Sequence, residues 1–476
     1  MVMSQFDAAV IGSGPNGLSA AVALAQRGLS VVVYEASDHI GGSARTAELT
    51  LPGFRHDIGS AIHPMGVASP FFCGLPLADH GLSWVHPVAP LAHPFDDSPP
   101  AVLERGVAET AETLGADGRA YARWMGPLVA RFDDLLAGAF AGLAIPQSPL
   151  LMARFGVWAL QPASVAARLL FSGERARGFF AGNAAHSIMP MERVPSSAIG
   201  VMLGAAGHAV GWPFPRGGAQ AIPDALAGLL RSLGGVIRAG VHIDDLDAVE
   251  TDGPVFFQTS PRGLAEIAGK HLPAGYLRRL GRYRYGPGVF KIDWALDGPI
   301  PWKDAACARA GTLHLGGTLA EIAESERIAW RGGTNQRPYV LLAQHSLFDD
   351  TRAPAGKHTA WAYCHVPNGS DVDHTEFIEA QVERYAPGFR DRILGRHTMN
   401  CADFERWSPN FVGGDINVGV PDIDQLFTRP VARLNPYSTP NPRIFLCSAA
   451  SPPGGGVHGV AGAQAVASYL AGKPTG

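Results

Sequence analysis

The sequence predicts an α/β fold, with one domain built on a parallel sheet and a second α+β domain. Three observations support this. The chain opens with an apolar strand, a glycine-rich turn, a small-residue helix and a second strand. Apolar strand patterns return far along the chain, near residues 236, 254 and 443, and the sequence between them holds helical and aromatic-rich strand patterns. This order is typical of a Rossmann-like domain interrupted by a second domain.

The first turn reads Gly12-Ser-Gly14-Pro15-Asn16-Gly17 and follows the strand FDAAVIG. Gly12 permits the tight turn from strand to helix, Gly14 lets the backbone approach a pyrophosphate, and Gly17 lets the helix lie close to the sheet. The phosphates would then lie at a helix N-terminus, where free amides and the helix dipole favour negative charge. The turn, with Pro15 and Asn16, therefore predicts a dinucleotide site.

Glu35 ends the second strand, VVVYE. It lies about 20 residues after the glycines, where a carboxylate can accept hydrogen bonds from both ribose hydroxyls of an adenosine and would repel a 2'-phosphate. Gly41, Gly42 and Arg45, just past this acid, supply further amides and one cation for the same pyrophosphate. Ala36 and Ser43, in the same segment, are also predicted to bind the cofactor. NAD dehydrogenases usually lack this second element, so the sequence predicts FAD.

Composition excludes several classes of partner. With 476 residues and 46% hydrophobic content the chain can bury a large core in two or three domains. Its 38 basic and 42 acidic residues give a net charge of −4, so nucleic-acid binding is not expected. The five cysteines are far apart, which predicts neither a redox disulfide nor a metal site but reduced thiols in the cytoplasm. The N-terminus, with Asp7, leads directly into the nucleotide fold and does not resemble a signal peptide.

The most apolar region, roughly residues 135–171, is broken by prolines and arginines. No membrane span is therefore predicted. Amphipathic stretches such as VWALQPASVAARLLF could touch a bilayer surface or line an apolar tunnel, and ordinary packing against neighbouring helices is the alternative. Peripheral membrane contact by a cytoplasmic protein is thus one expectation.

We expect the FAD-binding domain to be discontinuous. It would be assembled from residues 1–85, 213–275 and 431–476. The substrate domain would comprise residues 86–212, which are mainly helical and could face a membrane, and residues 276–430, whose alternating strand patterns predict an antiparallel sheet.

Several segments resemble the bacterial-type phytoene desaturase family, within the flavin amine oxidase-like superfamily. They are Gly12 to Gly17 with Glu35, Gly41 to Arg45, PRGGAQAIPDAL and CSAASPPGGGVHGVAGAQA. The segments LPGFRHDIGSAIHP, RYRYGPGVFKIDWALDGPIPW and GGDINVG are similar to the branch of pyridine nucleotide-disulfide oxidoreductase domain-containing protein 2. The resemblance implies FAD in a nucleotide domain of the glutathione-reductase and amine-oxidase type. Disulfide reduction is not implied, because paired cysteines are absent.

In that family the segment PPGGGVHG lies against the isoalloxazine ring. The resemblance therefore implies flavin contacts by Gly455, Gly456, Val457 and Gly459, and a glycine run at a helix N-terminus would also favour the anionic reduced ring. Val241, in the strand VIRAGVHIDDLDAV, matches the position whose backbone meets adenine. Because the second glycine motif reads Gly-Gly-Ser-Ala-Arg, Arg45 would act from a shifted position.

Three residues are candidates for catalysis, because oxidation of a C–H bond needs a group or water that accepts a proton from the neighbouring carbon. His458 lies within the ring-contacting turn, His63 could line the same cleft, and Lys291 could face the flavin through a water, as a lysine does in many amine oxidase relatives. Each also has a structural interpretation, as a hydrogen-bonded histidine or a solvated strand lysine.

Other polar and aromatic residues are expected to have structural roles. His186 is expected in the core or at a helix cap, and Trp302 and Tyr437 are either cavity walls or packing aromatics.

The resemblance and the apolar middle region predict an FAD-dependent dehydrogenase or desaturase. It would transfer a hydride from a C–H bond of a hydrophobic, polyene or alicyclic, substrate to flavin N5, with oxygen or a quinone as electron acceptor. One alternative is a flavin amine or amino-acid oxidase that releases hydrogen peroxide, and another is a flavin-binding interaction protein without turnover. Reduction or isomerisation is also open, since a reduced flavin can return its hydride.

Overall fold

A computed structural model describes residues 5–141 and 146–472. Residues 1–4 and 473–476 of the predicted FAD-binding domain, and residues 142–145 of the apolar region, lie outside the described residues. The strands are β1 (Ala8–Ile11), β2 (Val31–Tyr34), β3 (Thr46–Glu48), β4 (Arg55–Asp57), β5 (Trp84–Val85), β6 (Ala89–His93), β7 (Ala101–Leu103), β8 (Phe214–Pro215), β9 (Val236–Arg238), β10 (Val255–Phe257), β11 (Gly288–Leu296), β12 (Ala310–Leu315), β13 (Val340–Ala343), β14 (His358–Val366), β15 (Ile393–Met399) and β16 (Ile444–Leu446).

Helices fill the intervals between these strands. They are α1 (Pro15–Ala25), α2 (Pro64–Val67), α3 (Pro70–Cys73), α4 (Val107–Thr113), α5 (Gly118–Val129), α6 (Phe132–Phe140), α7 (Pro149–Ala159), α8 (Ala163–Leu170), α9 (Glu174–Ala184), α10 (Ser197–Ala209), α11 (Ala221–Ser232), α12 (Pro261–Ala268), α13 (Ala274–Leu280), α14 (Leu319–Trp330), α15 (Thr375–Tyr385), α16 (Cys401–Trp407), α17 (Ile423–Leu426) and α18 (Val460–Ala471).

The first sheet is parallel, with strand order β16-β10-β1-β2-β9. Its central strands are apolar runs with every residue buried, as expected where helices cover both faces of a parallel sheet. β1 and β2 come from the start of the chain, β9 and β10 from its middle and β16 from near its end. The predicted α/β class with a Rossmann-like domain is therefore confirmed, while the domain boundaries stay predictions.

The second sheet has the order β15-β11-β14-β13-β12-β6-β7 and is antiparallel except where β6 pairs with β12. Successive side chains of a strand point to opposite faces, so β11 divides its residues between two environments. Phe290, Ile292 and Trp294 enter a core shared with α15. Val289 and Lys291 face the opposite side, towards the first domain, where they line a cavity.

Helices α4 to α10 form a layer beside the second sheet, in the region where the sequence predicted them. No single helix of the described residues is long and apolar enough to cross a bilayer. Helices α7 and α8 reach the necessary length and apolar composition only when taken together, and the chain bends by 104° between them. The five cysteines are free thiols, with Cys73 exposed and the other four buried.

One predicted strand is much shorter in the structure. Of the segment VIRAGVHIDDLDAV, residues Val236–Arg238 pair with β2. Gly240 then adopts a positive φ of 69°, a conformation that interrupts an extended strand. Val241 consequently lies in a loop, where its amide donates a hydrogen bond to the carbonyl of Glu35 at 2.9 Å.

Candidate functional site

A cavity of about 270 Å³ lies between the two sheets, where the first domain meets the second. The residues that line it from the first domain include Pro15, Asn16, Gly42, Ser43, Gly456 and Val457. The apolar and aromatic residues that line it from the second domain include Val289, Leu341, Trp361, Tyr363, Phe404 and Phe411. Six of the residues predicted to bind the cofactor thus border one cavity with largely apolar opposite walls.

The two glycine motifs form a cradle without side chains at one end of this cavity. Gly12 has a φ of +99°, and its amide donates to the carbonyl of Tyr34 at 2.8 Å, which closes the turn before α1 begins at Pro15. A Cβ on Gly17 would lie 2.1 Å from the Gly12 carbonyl oxygen, and one on Gly42 would lie 2.9 Å from Gly14 Cα. The cradle therefore suits a group such as a pyrophosphate that binds backbone amides.

Gln258 is a part of this turn that the sequence analysis missed. Its Oε1 accepts a hydrogen bond from the amide of Gly17 at 3.0 Å, and a Cβ on Gly14 would lie 2.2 Å from its Nε2. It directly follows β10, and the carboxyl ends of neighbouring parallel strands meet at one edge of a sheet. A polar residue just after a buried strand was thus the available signal.

Glu35 is half-buried and held by three short hydrogen bonds. One carboxylate oxygen accepts from the amide and hydroxyl of Ser13, at 2.9 and 2.6 Å, and the other accepts from the amide of Ser37 at 2.9 Å. These bonds fix the carboxylate at the end of β2. The adjacent Ala36 is exposed.

The Arg45 side chain lies beside Gly41 and borders a second depression. It donates to the hydroxyl of Ser37 at 3.3 Å, and Asp38 and Asp224 also line that depression. Burial lowers the pKa of Arg45, and the charge of Glu35 opposes that shift.

The residues of the C-terminal glycine turn have two different roles, since some border the cavity and one allows two helices to pack closely. Gly456, with a φ of +130°, and Val457 border the cavity, while Gly455 lies beside Asn417. Gly459 precedes α18 with a φ of +69°, and a Cβ there would lie 2.3 Å from Ser19 Oγ on α1. Gly459 therefore lets α18 approach α1.

His458 and His63 are buried behind the cavity and do not line it. His458 Nδ1 accepts from the amide of Val460 at 3.1 Å, and its ring packs against Phe140 with centroids 5.2 Å apart. His63 Nε2 lies 3.2 Å from the hydroxyl of Ser60, which does border the cavity. Burial lowers the pKa of each imidazole to about 4, so both are neutral at pH 7.

Lys291 lines the cavity and is only 1% exposed, which contradicts its interpretation as a solvated strand lysine. Its ammonium donates to Asp293, two residues along the same face of β11, and lies 6.0 Å from the centre of the Trp361 ring. Burial lowers the pKa of Lys291, while Asp293 opposes the shift. The period-two spacing of a lysine and an aspartate in an apolar strand was a signal for this pair.

Asp293 connects Lys291 to two histidines. Its carboxylate oxygens lie 3.7 Å from His56 Nδ1 and 3.5 Å from His397 Nδ1, and His397 is one-third exposed. Burial alone would raise the pKa of Asp293, but Lys291 and these imidazoles hold it below its ordinary value. Lys291, which lines the cavity, is thus connected through Asp293 to His397, whose side chain reaches the surface.

The remaining candidates separate into two groups. His186, expected in the core or at a cap, lies in a turn after α9 and borders the cavity. Trp302 and Tyr437 do not line it: Trp302 donates to Gln344 at 3.0 Å, and Tyr437 donates to the carbonyl of Pro452 at 3.2 Å.

One surface cluster, Asp245, Asp247 and His271, brings three ligand-type atoms within 4.8 Å. Lys270 already donates to Asp245, so a counter-charge for this carboxylate is present.

Comparisons with known proteins agree with this architecture. Residues 10–72 match the family described as NAD(P)-binding Rossmann-like domain. The chain is 27% identical to pyridine nucleotide-disulfide oxidoreductase domain-containing protein 2 of Rattus norvegicus, over 97% of this chain and 92% of that protein. It is 28% identical to phytoene dehydrogenase of Streptomyces griseus, over 81% of this chain and 77% of that protein.

Solved structures share the fold across nearly the whole chain. An oxidoreductase from Methanosarcina mazei superposes with a TM-score of 0.67 at 17% identity, covering 98% of this chain and 99% of that one. Putrescine oxidase with bound putrescine superposes with a TM-score of 0.61 at 18% identity, covering 98% of both chains. At such low identity these similarities establish the fold alone.

Proposed function

We propose that the chain is a flavin-dependent oxidoreductase that binds FAD and acts as a dehydrogenase or desaturase. Its similarity, over most of its length, to pyridine nucleotide-disulfide oxidoreductase domain-containing protein 2 and to phytoene dehydrogenase supports this proposal. In this proposal a hydride passes from a C–H bond of a hydrophobic, polyene or alicyclic, substrate to the flavin.

The shared cavity is the observation that supports this proposal. One side consists of the glycine cradle with Gly42 and Gly456, and the other consists of aliphatic and aromatic side chains of the second domain. A cofactor seated on the cradle would therefore meet an apolar substrate at the boundary of the two domains, a position where ligand sites are common.

The residues present fit FAD. The amides at the start of α1 suit a pyrophosphate, the fixed carboxylate of Glu35 suits the ribose hydroxyls, and the turn at Gly456 and Val457 suits a flat ring. When bound, FAD would supply two-electron oxidation of the substrate.

The protein would contribute orientation, exclusion of water and control of a proton. Aromatic walls at Trp361 and Phe411 can hold an apolar molecule and keep bulk water out. Lys291 can hold or accept a proton inside the cavity, because burial favours its neutral form while Asp293 stabilises its charged form.

An anaerobic visible spectrum of the purified protein tests the proposal. We expect a flavin band near ~450 nm, which should bleach when a polyene or cyclic ketone is added. Readmission of oxygen or addition of a quinone then identifies the electron acceptor by the rate at which the band returns. Protein that carries no flavin and cannot be reconstituted with FAD would contradict the proposal.

The amine oxidase alternative has one observation in its favour. Trp361 and Tyr363 meet at 81° with ring centroids 5.2 Å apart in the cavity wall, an arrangement that could receive a cationic amine. In its charged form, which Asp293 stabilises, Lys291 beside the same wall would repel such a cation. Hydrogen peroxide release with an amine panel, but not with ketones or polyenes, would favour this alternative.

Flavin that binds but is bleached by no compound, together with recovery of a specific protein partner, would instead favour the non-catalytic interpretation.

A further inference from the structure

His186, which borders the cavity, forms a hydrogen-bonded pair with His314 behind it. Their Nε2 atoms are 2.9 Å apart. His186 borders the cavity, whereas His314, on β12, is fully buried. A bond between two imidazole nitrogens needs a proton on one and a lone pair on the other, so the tautomer of one ring determines that of its partner.

The surroundings of His314 determine the direction of this bond. Its Nδ1 is buried without a hydrogen-bond partner and faces Gly182, where a Cβ would lie 2.9 Å away. A proton on Nδ1 would leave a buried donor unpaired, which proteins tolerate less well than an unused lone pair. His314 therefore carries its proton on Nε2 and donates to His186.

His93 is not a hydrogen-bond partner of His314, because Nδ1 of each ring is buried without a partner and the ring centroids are 6.4 Å apart. Its Nε2 lies 2.7 Å from the carbonyl oxygen of Gly317, which can only accept, so that nitrogen carries the proton. Its Nδ1, 2.8 Å from the same Cβ position on Gly182, is consequently a lone pair. Burial also holds the pKa of His314 well below its ordinary value, so this ring does not carry two protons at pH 7.

The proton of His186 is then on Nδ1. Burial lowers the pKa of His186 to about 3, so the ring is neutral, and its Nε2 accepts from His314. Nδ1 of His186 makes no hydrogen bond among the described residues and, unlike Nδ1 of His93 and His314, is not fully enclosed by protein atoms. The cavity is thus bordered by an imidazole N–H of fixed tautomer that is available to a ligand.

We propose that His186 donates this hydrogen bond to a carbonyl oxygen of the substrate, so that the site takes an apolar ketone in preference to a plain hydrocarbon or an amine. The inference rests on the proposed function and names its substrate class. A protonated amine has no lone pair to accept a hydrogen bond from the N–H of His186. Its charge would also be repelled by Lys291, in its charged form, in the same cavity.

A carbonyl at this position suits dehydrogenation of the adjacent carbons. The N–H of His186 stabilises negative charge that develops on the oxygen as the α-carbon loses its proton. Lys291, in the neutral form that burial favours, would accept that proton. Bound FAD would supply the two-electron oxidation by taking the hydrogen of the β-carbon as a hydride, and a double bond would form between the two carbons. The product would be an α,β-unsaturated ketone, with FAD as the two-electron oxidant.

Three matched compounds test the inference: 4-phenylcyclohexanone, phenylcyclohexane and 4-phenylcyclohexylamine. Their dissociation constants are measured on the flavin-loaded protein from changes in the visible spectrum and in the thermal unfolding temperature. We expect the ketone to bind about five- to tenfold more tightly than the hydrocarbon, as one hydrogen bond allows. The amine should bind no better than the hydrocarbon.

Two variants of His186 isolate the N–H donor. His186→Leu should remove the preference for the ketone and leave hydrocarbon affinity nearly unchanged. His186→Gln should keep part of the preference, because its amide can accept from His314 and donate to the ligand. His208→Leu is the matched control, since this buried histidine bonds to Tyr121 at 2.7 Å outside the cavity and its loss should not affect selectivity.

The infrared carbonyl stretching band of the bound ketone tests the inference in the unsubstituted protein, so it does not depend on whether a variant folds. In the unsubstituted protein this band should lie below its position in a hydrocarbon solvent. An unshifted band, equal affinity for ketone and hydrocarbon, or a preference that survives in His186→Leu would each overturn the inference. Absence of the flavin band would instead count against the proposed function.

Discussion

At the residue scale, Lys291 shows how burial changes the energetic role of a charged side chain. A lysine in a strand is ordinarily solvated, but this one is buried beside Asp293 in a cavity wall. Removing one member of a buried ion pair leaves the other charge without compensation. The two residues should therefore be strongly coupled in stability.

We predict that Asp293→Asn lowers the free energy of unfolding by about 3–5 kcal/mol. Lys291→Met combined with Asp293→Asn should recover much of that loss, because the remaining ammonium is then gone. Urea unfolding of the single and double variants measures the coupling. A loss below roughly 1 kcal/mol in Asp293→Asn would show that the pair is not coupled in this way.

Glu35 carries the second prediction at this scale. Glu35→Gln removes the charge of the proposed ribose acceptor, and hydrogen bonds to charged groups contribute about 1.5–3 kcal/mol. We therefore expect FAD to bind about ten- to a hundredfold more weakly, measured by titrating flavin fluorescence against the apoprotein. Glu48→Gln, at an exposed position on β3, is the control and should leave FAD affinity unchanged.

The sequence predicted the positions of candidate site residues where a local pattern determines position. The glycine turn, Glu35 and the turn at Gly456 lie at ends of strands or starts of helices, and these positions follow from short-range signals. His186 could not be assigned in this way, because its role depends on His314, 128 residues away, and on a gap that Gly182 leaves open.

At the scale of elements, the packing of α18 on α1 positions the glycine cradle. A Cβ on Gly462 would lie 2.0 Å from the carbonyl oxygen of Asn16, in the first turn of α1. Neither backbone can yield to such a contact as a side chain would, so the spacing of these helices depends on glycine.

We predict that Gly462→Ala destabilises the protein by about 1–3 kcal/mol and weakens FAD binding, because α1 must shift. Thermal unfolding and the flavin content of the purified protein measure the two effects. Gly472→Ala is the matched control: its φ is −85°, and the nearest atom to a new Cβ is 3.6 Å away. Equal behaviour of the two variants would exclude helix spacing as the cause.

The bent pair α7 and α8 presents the exposed leucines and valines of the predicted membrane-facing region. Leu150 is 85% exposed, Leu169 is 69% exposed, and Arg154 and Arg168 lie among them on the surface. Apolar side chains flanked by arginines fit an anionic bilayer surface. We propose that this pair contacts the membrane surface.

We predict that Leu150→Asp with Leu169→Asp reduces sedimentation with vesicles of phosphatidylglycerol and phosphatidylcholine by at least about tenfold, since each leucine contributes about 1.5–3 kcal/mol when buried. Leu434→Asp, at a fully exposed leucine outside this region, should have no effect. Binding that is absent in the unsubstituted protein would contradict the proposed contact.

At the scale of the whole molecule, buried histidines should determine acid stability. Burial lowers the pKa of six imidazoles to about 4 and that of His186 to about 3; the six are His56, His63, His93, His208, His345 and His458. In the unfolded chain a histidine titrates near 6.5. Between these values the unfolded state binds more protons, so stability is retained above about pH 6.5 and lost as pH falls towards 4.

We predict that the free energy of unfolding falls by about 1.4 kcal/mol per pH unit for each such histidine between pH 6.5 and 4. Urea unfolding of flavin-loaded protein across this range measures the total slope. His93→Gln should reduce the slope by the share of one histidine. A slope of zero would mean that these rings are protonated in the folded protein.

The fold was predictable to different extents in the two domains. The parallel sheet was expected from four-residue apolar runs and glycine turns, which are local signals. The joining of β6 to β12 was not expected, because it pairs Ala89 with Ala310 and neither strand contains a signal for its partner. The antiparallel strands beside them followed from alternation along the chain, which also predicts that one face lines a core.

The central strand of the first sheet is made long before its neighbours on one side. β1 begins at Ala8, whereas its partner β10 begins at Val255 and β16, beyond it, at Ile444. At about 5–20 residues per second, a ribosome would need roughly 12–50 s to extend the chain from β1 to β10. The parallel sheet therefore stays incomplete while the apolar helices of the second domain are synthesised, and the proposed FAD could bind the complete domain only late in synthesis.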